Sequence, residues 1–377
     1  MPNTLSVYDP LFYANEALIQ LEKALGMAGR VHRGYDKAPQ QKGATISIRR
    51  PGGFTAQDAP STAQDVVAGE AQIALDHWKE VKFGLSDREL SAAGTVLIEE
   101  HVRPAAVALA DAIDQSLCGL YADVPWYHDV AGTMGVADVT ALRKIMFDNQ
   151  VPLRDPALMH WMIDGDMEAD LLGQSAFTQW QGAGEAGAQA QQSGLLGRRF
   201  GFDFFANQNV RGHVAGDLSS TTPLLVGAHA KGATSVTLDA GTLTGGLTKG
   251  DSFVLAGNTQ RYAVTADATA AGNAITVQVT PALVQAYADN AQATVSLDSH
   301  SASLAFHRNA FALAMAPLSD LGNQLGAHVA SVTDPVTGLT LRSRLFYDGN
   351  ASKVYVALDA LWGVATLDPN LAVRARN

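Results

Sequence analysis

The sequence has little of what several kinds of functional site require. Cys118 is the only cysteine among 377 residues, so neither an internal disulfide nor a thiolate metal cluster can form. Lys and Arg number 26 against 37 Asp and Glu, and the net charge of -11 argues against a surface that follows a nucleic-acid backbone throughout. No apolar run approaches the roughly 20 residues of a membrane span. The first residues lack the basic and apolar regions of a signal peptide, and we expect synthesis in the cytoplasm.

Apolar residues and glycine are abundant instead. Hydrophobic residues make up 47% of the chain, which is enough for a large core in two domains or in one elaborated domain. Aromatic residues account for only 7%, whereas glycines number 35. This composition indicates many turns and extended segments and not a helical bundle.

Apolar residues spaced three and four apart predict helices over residues 14–26 and 104–121. Further helices are predicted over residues 137–149 and after Met162. Residues 181–194 are rich in glycine and glutamine and are predicted to form a loop.

Two extended runs near the start predict a protruding hairpin. Residues 45–49 and 71–83 show strand-like alternation, and about twenty Gly-, Pro-, Ala-, Ser- and Asp-rich residues join them. Loops of this length inside compact domains are uncommon and usually functional. We therefore expect the hairpin to contact another molecule.

Residues 222–298 differ in composition from the chain on either side. They are poor in charge and rich in Thr, Val, Ala and Gly, with period-2 runs separated by turn residues. Six short strands are predicted, over residues 223–227, 234–238, 252–256, 261–266, 274–280 and 293–297. This pattern is typical of a small all-β barrel or sandwich, here inserted into a chain of mixed helices and strands.

Two motifs resemble ligand-binding loops but lack the required context. Residues 182–187, GAGEAG, have the spacing of a dinucleotide-binding turn, yet no strand is predicted before them. Residues 164–170, DGDMEAD, alternate acidic side chains as a calcium loop does, but the later bidentate Glu is missing from the register. We interpret these acids as the stabilised N-terminus of a helix.

The trio His307, Arg308 and Asn309 interrupts an apolar run, SLAFHRNAFALAMAPLS. A base, a cation and an amide could serve catalysis, but a polar edge of a structural element is the favoured interpretation. The sequence contains no zinc-binding spacing of His or Cys and no GxSxG nucleophile motif. We predict no catalytic, cofactor-binding or metal site, and therefore no enzyme.

Several collinear segments resemble one protein family. They are ALIQLEKALGMAGRVHRGYD, KGATISIRRPGGFTA, LDHWKEVKFGLSDREL, VRPAAVALADAIDQSLCGLY, NQVPLRDPALM, RRFGFDFFANQNV, LTKGDSFVLAG, ITVQVTPAL, SLAFHRNAFALAMAPL and DALWGVATLDPNLA. Together the segments resemble the major coat proteins of tailed double-stranded DNA bacteriophages with the Hong Kong-97 capsid fold. The similarity is to the phage P-twenty-two-like branch, which carries an inserted β-domain.

The resemblance implies an α+β chain divided in the manner of such coats. The parts it implies are an N-terminal arm over residues 1–42, an extended loop over 43–83, a peripheral domain with a spine helix over 84–136, the first part of an axial domain over 137–221, an inserted β-barrel over 222–298, and a return to the axial and peripheral domains over 299–377.

The resemblance also implies a function and its partners. Copies of the chain would assemble into hexamers and pentamers of an icosahedral head that encloses double-stranded DNA without binding it specifically. The implied partners are a scaffolding protein, a portal protein and, as a further candidate, a decoration protein; the implied locations are the host cytoplasm during assembly and then the virion. In the hairpin we expect Arg49, Arg50 and Phe54 to contact a neighbouring subunit, because Arg pairs with acids and Phe provides an apolar anchor.

Some relatives are crosslinked through a lysine of the extended loop. Here Lys42 lies at the base of the loop and Lys79 near its far end, with no lysine at the tip. We expect no such crosslink.

Two alternatives remain on the sequence alone. An encapsulin-like nanocompartment shell would have the same fold but enclose a cargo enzyme. A hydrolase or a carbohydrate-binding tail protein with a β-module would instead require a clustered acidic or aromatic site, which the sequence does not display.

Overall fold

The computed structural model describes residues 10–24, 26–33, 43–50, 58–59, 69–86, 101–179, 185–318, 328–333, 339–350 and 353–377. The α-helices in this part of the chain are α1 (Pro10–Ala24), α2 (Arg103–Cys118), α3 (Val136–Asp148), α4 (Gly165–Gly173), α5 (Ser175–Thr178) and α6 (Glu185–Ser193). None of them is long and apolar enough to cross a membrane.

The same part of the chain contains 22 strands. They are β1 (Thr45–Arg50), β2 (Gly69–Ala74), β3 (His77–Ser86), β4 (Tyr127–Asp129), β5 (Met159–Ile163), β6 (Gly197–Arg199), β7 (Phe202–Ala206), β8 (Gly212–His213), β9 (Leu224–Leu225), β10 (Ser235–Asp239), β11 (Gly246–Leu247), β12 (Ser252–Leu255), β13 (Arg261–Val264), β14 (Ala268–Thr269), β15 (Ala274–Thr280), β16 (Ala293–Ser296), β17 (His300–His307), β18 (Phe311–Ala316), β19 (His328–Thr333), β20 (Thr340–Asp348), β21 (Lys353–Thr366) and β22 (Ala372–Arg376).

The chain divides into two compact units. The first unit comprises residues 1–117 and 311–367, and the second comprises residues 118–310 and 368–377. Each unit is therefore assembled from segments that are distant in sequence.

The first unit is organised around β21. Strand β3 pairs with residues 353–362 of β21 along one edge, and on the other edge β20 pairs with residues 353–359 while β18 pairs with residues 361–366. Strand β19 extends the sheet beyond β20, and all of these pairings are antiparallel. The two long extended runs near the end of the sequence therefore form the centre of this sheet.

The hairpin predicted near the start forms a separate two-stranded ladder. Strand β1 pairs with β2 from Thr45 opposite Ala74 to Arg50 opposite Gly69. The second predicted run, residues 71–83, is two strands, because the chain leaves the ladder after Ala74 and β3 joins β21 instead. The sequence pattern did not show this break, since alternation continues almost unchanged across it.

A glycine of β21 lets the hairpin lie against the sheet. Ile46 and Ile73 of the hairpin pack with Leu361 in one apolar cluster. At Gly363 an added Cβ would lie 2.2 Å from the carbonyl oxygen of Ala74, far inside van der Waals contact. Only glycine fits at this crossing.

The first two predicted helices are confirmed. Helix α1 covers residues 10–24 and α2 covers residues 103–118, and the apolar positions predicted for the second helix are buried. Asp114, buried in α2, accepts hydrogen bonds from the backbone N–H groups of Gly26 at 2.7 Å and Ala28 at 3.2 Å. This carboxylate fixes the turn that follows α1.

The second unit contains a mixed sheet in the order β4-β22-β17-β5-β7-β6, with β8 pairing to β17. The β22–β4 and β5–β7 pairs are parallel and the others are antiparallel. Helices α3 and α4 cover one face, where Met146 and Met167 pack in the same cluster as Trp161. Both helices are close to their predicted positions, but residues 185–193 are helical, so the predicted loop is wrong there. The Ala, Glu and Gln side chains of that segment are good helix formers and outweigh Gly187.

All six strands predicted within residues 222–298 are present in the structure as β9, β10, β12, β13, β15 and β16. They pair in the order β16-β12-β13-β15-β10-β9. Backbone bonds then join the two ends: the N–H of Ala293 donates to Pro223 and that of Val295 to Thr221, each at 2.8 Å. The strands thus close into a small barrel, whose apolar cluster is separate from that beneath α3 and α4.

Replacing Gly363 with Ala should destabilise the first unit. The new Cβ would collide with the Ala74 carbonyl, and forcing hairpin and sheet apart should lower the free energy of unfolding by about 1–3 kcal/mol. Gly241→Ala is the matched control, because no atom lies within 4 Å of its added Cβ. Urea denaturation of both variants tests this, and equal stabilities would contradict the assigned crossing.

Candidate functional site

The residues predicted as intersubunit contacts lie in or beyond β1. Arg49 stands opposite Glu70 in the hairpin ladder, and Arg50 stands opposite Gly69. Phe54 lies outside the described residues. Their role as contacts stays a prediction.

The acidic motif at residues 164–170 caps a helix, as predicted. The Asp164 carboxylate accepts from the backbone N–H of Met167 at 2.9 Å, at the start of α4. Asp170 accepts from the backbone N–H of Met134 at 2.8 Å. The glycine-rich motif at 182–187 follows α5 in sequence, and its first three residues lie outside the described part of the chain.

The trio at 307–309 forms a turn between two strands. His307 ends β17, and its Nδ1 accepts from the backbone N–H of Asn309 at 3.2 Å. Burial lowers the pKa of His307, while Arg308 and Asn309 are exposed. The chain passes from the second unit to the first directly after this turn, so the geometry supports the structural interpretation.

A fully buried carboxylate lies at the centre of the first unit's sheet. Asp359 of β21 accepts from Nε of Arg342 on β20 at 2.9 Å and from the indole of Trp78 on β3 at 3.1 Å. Arg344 lies 3.3 Å from the same carboxylate and 2.7 Å from Glu80. Three strands are thereby joined through one charge, which is favourable only while its partners remain in place.

The same sheet carries an aromatic cluster. Phe346 and Tyr355 stack with ring centroids 5.4 Å apart, and the Lys82 ammonium lies 4.7 Å and 4.4 Å from their centroids. Gly84 stands opposite Tyr355, and an added Cβ would meet that ring at 2.7 Å. The glycine lets the tyrosine ring lie across β3.

The junction between barrel and mixed sheet is polar. We call the following set, in which all but the half-buried Tyr121 are buried, the barrel junction: Tyr121, His213, Asp251, His300 and Arg374. His213 Nε2 lies 3.0 Å from Asp251, and its Nδ1 lies 3.3 Å from the Tyr121 hydroxyl. Asp251 also accepts from the backbone N–H groups of Gly216 and Thr248, at 3.0 Å and 2.8 Å.

Arg374, on β22, links the mixed sheet to the barrel within the barrel junction. Its guanidinium is fully buried and donates to the carbonyl of Gly250 at 2.8 Å. Burial lowers the pKa of Arg374 to about 10, and the neighbouring charge of Arg376 adds to this. Arg376 pairs with Asp129 and donates to Ser296 at 3.1 Å.

Sequence reasoning did not single out these buried charges. Asp359 is the only charged residue in the apolar run VYVALDALWGV, and Arg374 and Arg376 alternate with apolar residues in β22. A lone charge inside a predicted buried strand is the signal that could have identified them, since such charges need partners. The partners themselves are too distant in sequence to be read from spacing.

Helix α3 presents an exposed apolar and basic surface. Phe147 is 72% exposed and lies in a shallow depression with Arg143, Lys144 and Arg154 at its rim. Arg143 donates to the carbonyl of Phe200 at 2.9 Å. A large exposed aromatic side chain beside cations is typical of protein interfaces.

No family model and no curated protein matches this sequence. Among solved structures, one from Mycobacterium phage Che8 is similar to this chain. The two are 12% identical in sequence, the match covers 93% of this chain and 90% of that chain, and the TM-score is 0.50. That structure is of a phage capsid, and the chain shares its fold.

Further solved structures are similar at lower scores. The capsid structure of the cyanophage P-SCSP1u is 12% identical over 92% of this chain and 86% of that chain, with a TM-score of 0.47. A virus-like particle from Pyrococcus furiosus is 9% identical over 96% of each chain, with a TM-score of 0.43. The similarity to the Che8 structure is the basis for the capsid fold. The α+β class predicted from the sequence is confirmed.

Replacing Asp359 with Ala should strongly destabilise the chain. The change leaves the buried Arg342 guanidinium without its carboxylate and should lower the free energy of unfolding by about 3–5 kcal/mol. Lys144→Ala, which breaks an exposed pair with Asp148, should cost less than about 1 kcal/mol. Urea denaturation followed by tryptophan fluorescence measures both, and losses of similar size would contradict the central role of Asp359.

Proposed function

We propose that the chain is the major capsid protein of a tailed phage and assembles into the hexamers and pentamers of an icosahedral head. The observation that carries the proposal is the capsid fold, which the Che8 similarity extends over 93% of the chain. The comparisons indicate no enzymatic family. Function would then depend on surfaces that fit other copies of the chain.

The domain roles follow the resemblance seen in the sequence. We assign residues 1–42 to an arm, 43–83 to the extended loop and 84–136 to the peripheral domain. Residues 137–221 are assigned to the first part of the axial domain, and residues 299–377 to the return to the axial and peripheral domains. The barrel over 222–298 is assigned to the inserted domain of the P-twenty-two-like branch. The barrel between β8 and β17 supports the last assignment, and the β1–β2 hairpin supports the extended loop.

The proposed partners are those of a capsid assembled around a scaffold. They comprise scaffolding protein, portal protein, packaged double-stranded DNA and, as a further candidate, a decoration protein. The chain would assemble in the host cytoplasm and end in the virion. We keep Arg49, Arg50 and Phe54 as proposed contacts of the extended loop with a neighbouring subunit.

The second candidate is a nanocompartment shell of the same fold. The separate barrel favours the viral assignment, because the resemblance places such an insert in phage coats. The contents of the particles distinguish the two: a phage head from its natural source contains double-stranded DNA, whereas a nanocompartment contains protein cargo.

Assembly of the purified chain tests the proposal directly. Expressed with the scaffolding protein of the same phage, the chain should form closed shells of uniform diameter in negative-stain electron microscopy. Multivalent contacts between subunits make such shells stable even when each contact is weak. Persistent monomers under these conditions, or an enzymatic turnover by them, would contradict the capsid assignment.

Phe147→Asp should impair assembly without unfolding the chain. A charge at this exposed position disrupts an apolar contact with a second copy, and we expect the critical concentration for shells to rise about tenfold, or about 1.4 kcal/mol per subunit. Phe147→Leu is the matched control and should assemble normally. Sedimentation measures assembly and thermal melting measures folding; normal shells from Phe147→Asp would show that α3 makes no such contact.

A further inference from the structure

The chain leaves the mixed sheet to form the barrel and returns to the sheet at an adjacent point. Strand β8 pairs with β17 with His213 opposite His300 and Gly212 opposite Ser301. The chain between these residues forms the barrel, so β8 and β17 are its two covalent connections to the sheet. Both histidines project from the same face, because directly paired residues of an antiparallel ladder share a face.

The two imidazoles are buried against each other at these connections. Their ring centroids lie 4.9 Å apart, and the two residues are 4% and 6% exposed. His300 Nδ1 donates to the carbonyl of Asp298 at 2.7 Å, and its Nε2 has no hydrogen-bond partner among the described residues. A neutral ring suits this site, whereas a second N–H at Nε2 would be buried and unpaired.

Charged groups lie near His300 on every neighbouring element, and those that act on its pKa, Arg374, Arg376 and His213, lower it. Arg374 and Arg376 lie on β22, next to β17. His213 faces it from β8, with Asp251 of the barrel and the Tyr121 hydroxyl as its own partners. The remaining charges are the carboxylates of Asp129 and Asp298, which lie beside Arg376.

We propose that His300 makes the barrel junction proton-sensitive: the neutral ring holds the barrel against the sheet, and protonation of the ring releases it. The released state keeps the barrel folded, because its apolar cluster is separate from that of the sheet. Release breaks the hydrogen bonds across the junction, including those of His213 with Asp251 and of Arg374 with Gly250. This property belongs to the single chain and does not depend on assembly.

The direction of the pH dependence follows from linkage. Burial, with the charges of Arg374 and Arg376 adding to it, lowers the pKa of His300 to about 3 in the docked state. In a released barrel the exposed ring has the ordinary histidine pKa of about 6.5 and takes up the proton more readily. Docking is therefore at full strength above about pH 6.5 and weakens as pH falls towards 3. Between pH 7.5 and 5.0 the released fraction should rise by up to about 30-fold.

Hydrogen exchange of the full chain, read by mass spectrometry, tests the proposal. The reporting amide is that of Gly216, which donates to the Asp251 carboxylate across the junction. After correction for intrinsic exchange, peptides containing Gly216 should open up to about 30-fold more at pH 5.0 than at pH 7.5. Peptides from β15, in the barrel core, should change little over this range.

Variants assign the effect to one ring. His300→Gln can still donate to the Asp298 carbonyl but cannot take up the proton, so its junction peptides should lose most of the pH response. His300→Phe serves the same purpose if the glutamine variant does not fold, and His229→Gln, on the barrel away from the junction, should respond like the original chain. A full response in the His300 variants would assign the proton elsewhere and overturn the proposal. An original chain without a response, or with an equal rise in β15, would overturn it too.

Discussion

Strand β21 can take only one register, and most of the first unit follows from that constraint. It is paired on both edges, with β3 on one side and with β20 and β18 in succession on the other. A shift by one residue would turn Asp359 away from Arg342 and exchange the two faces of the strand. Gly363 adds a steric limit, since the hairpin crosses β21 at the one position without a side chain. Charge pairing and close approach therefore select the same alignment.

The second unit is held together by two different kinds of interaction. Helices α3 and α4 pack on the mixed sheet through apolar side chains, and such burial depends little on pH. The barrel instead meets the opposite face of that sheet through ionisable groups, of which Arg374 and His300 are deeply buried. If the barrel junction were apolar, the barrel and the mixed sheet would share one apolar core. Because the barrel junction is polar, the two cores stay separate, and the attachment of the barrel to the sheet depends on charge.

Local pattern predicts most of the elements but not their partners. Period-2 alternation identified the barrel strands, and three- and four-residue spacing identified α1 and α2, because both signals are contained within one element. The split between β2 and β3 gives no local signal, since residues 75–76 barely disturb the alternation. The glycines of residues 181–194 favour a loop, whereas the Ala, Glu and Gln residues around Gly187 favour the helix that the structure has. Pairs such as Arg374 with Gly250 depend on tertiary packing, and no local pattern encodes them.

The pairing of β8 with β17 also bears on how such a chain acquires new parts. Opposed residues of an antiparallel ladder lie about 5 Å apart, so the mixed sheet needs only a short bridge where the barrel now stands. A gene segment encoding any domain with adjacent termini could be spliced between Gly212 and Ser301 while β5, β17 and β22 keep their pairing. The mixed sheet thus contains an insertion site for a domain. The barrel and the rest of the chain can therefore have different evolutionary origins.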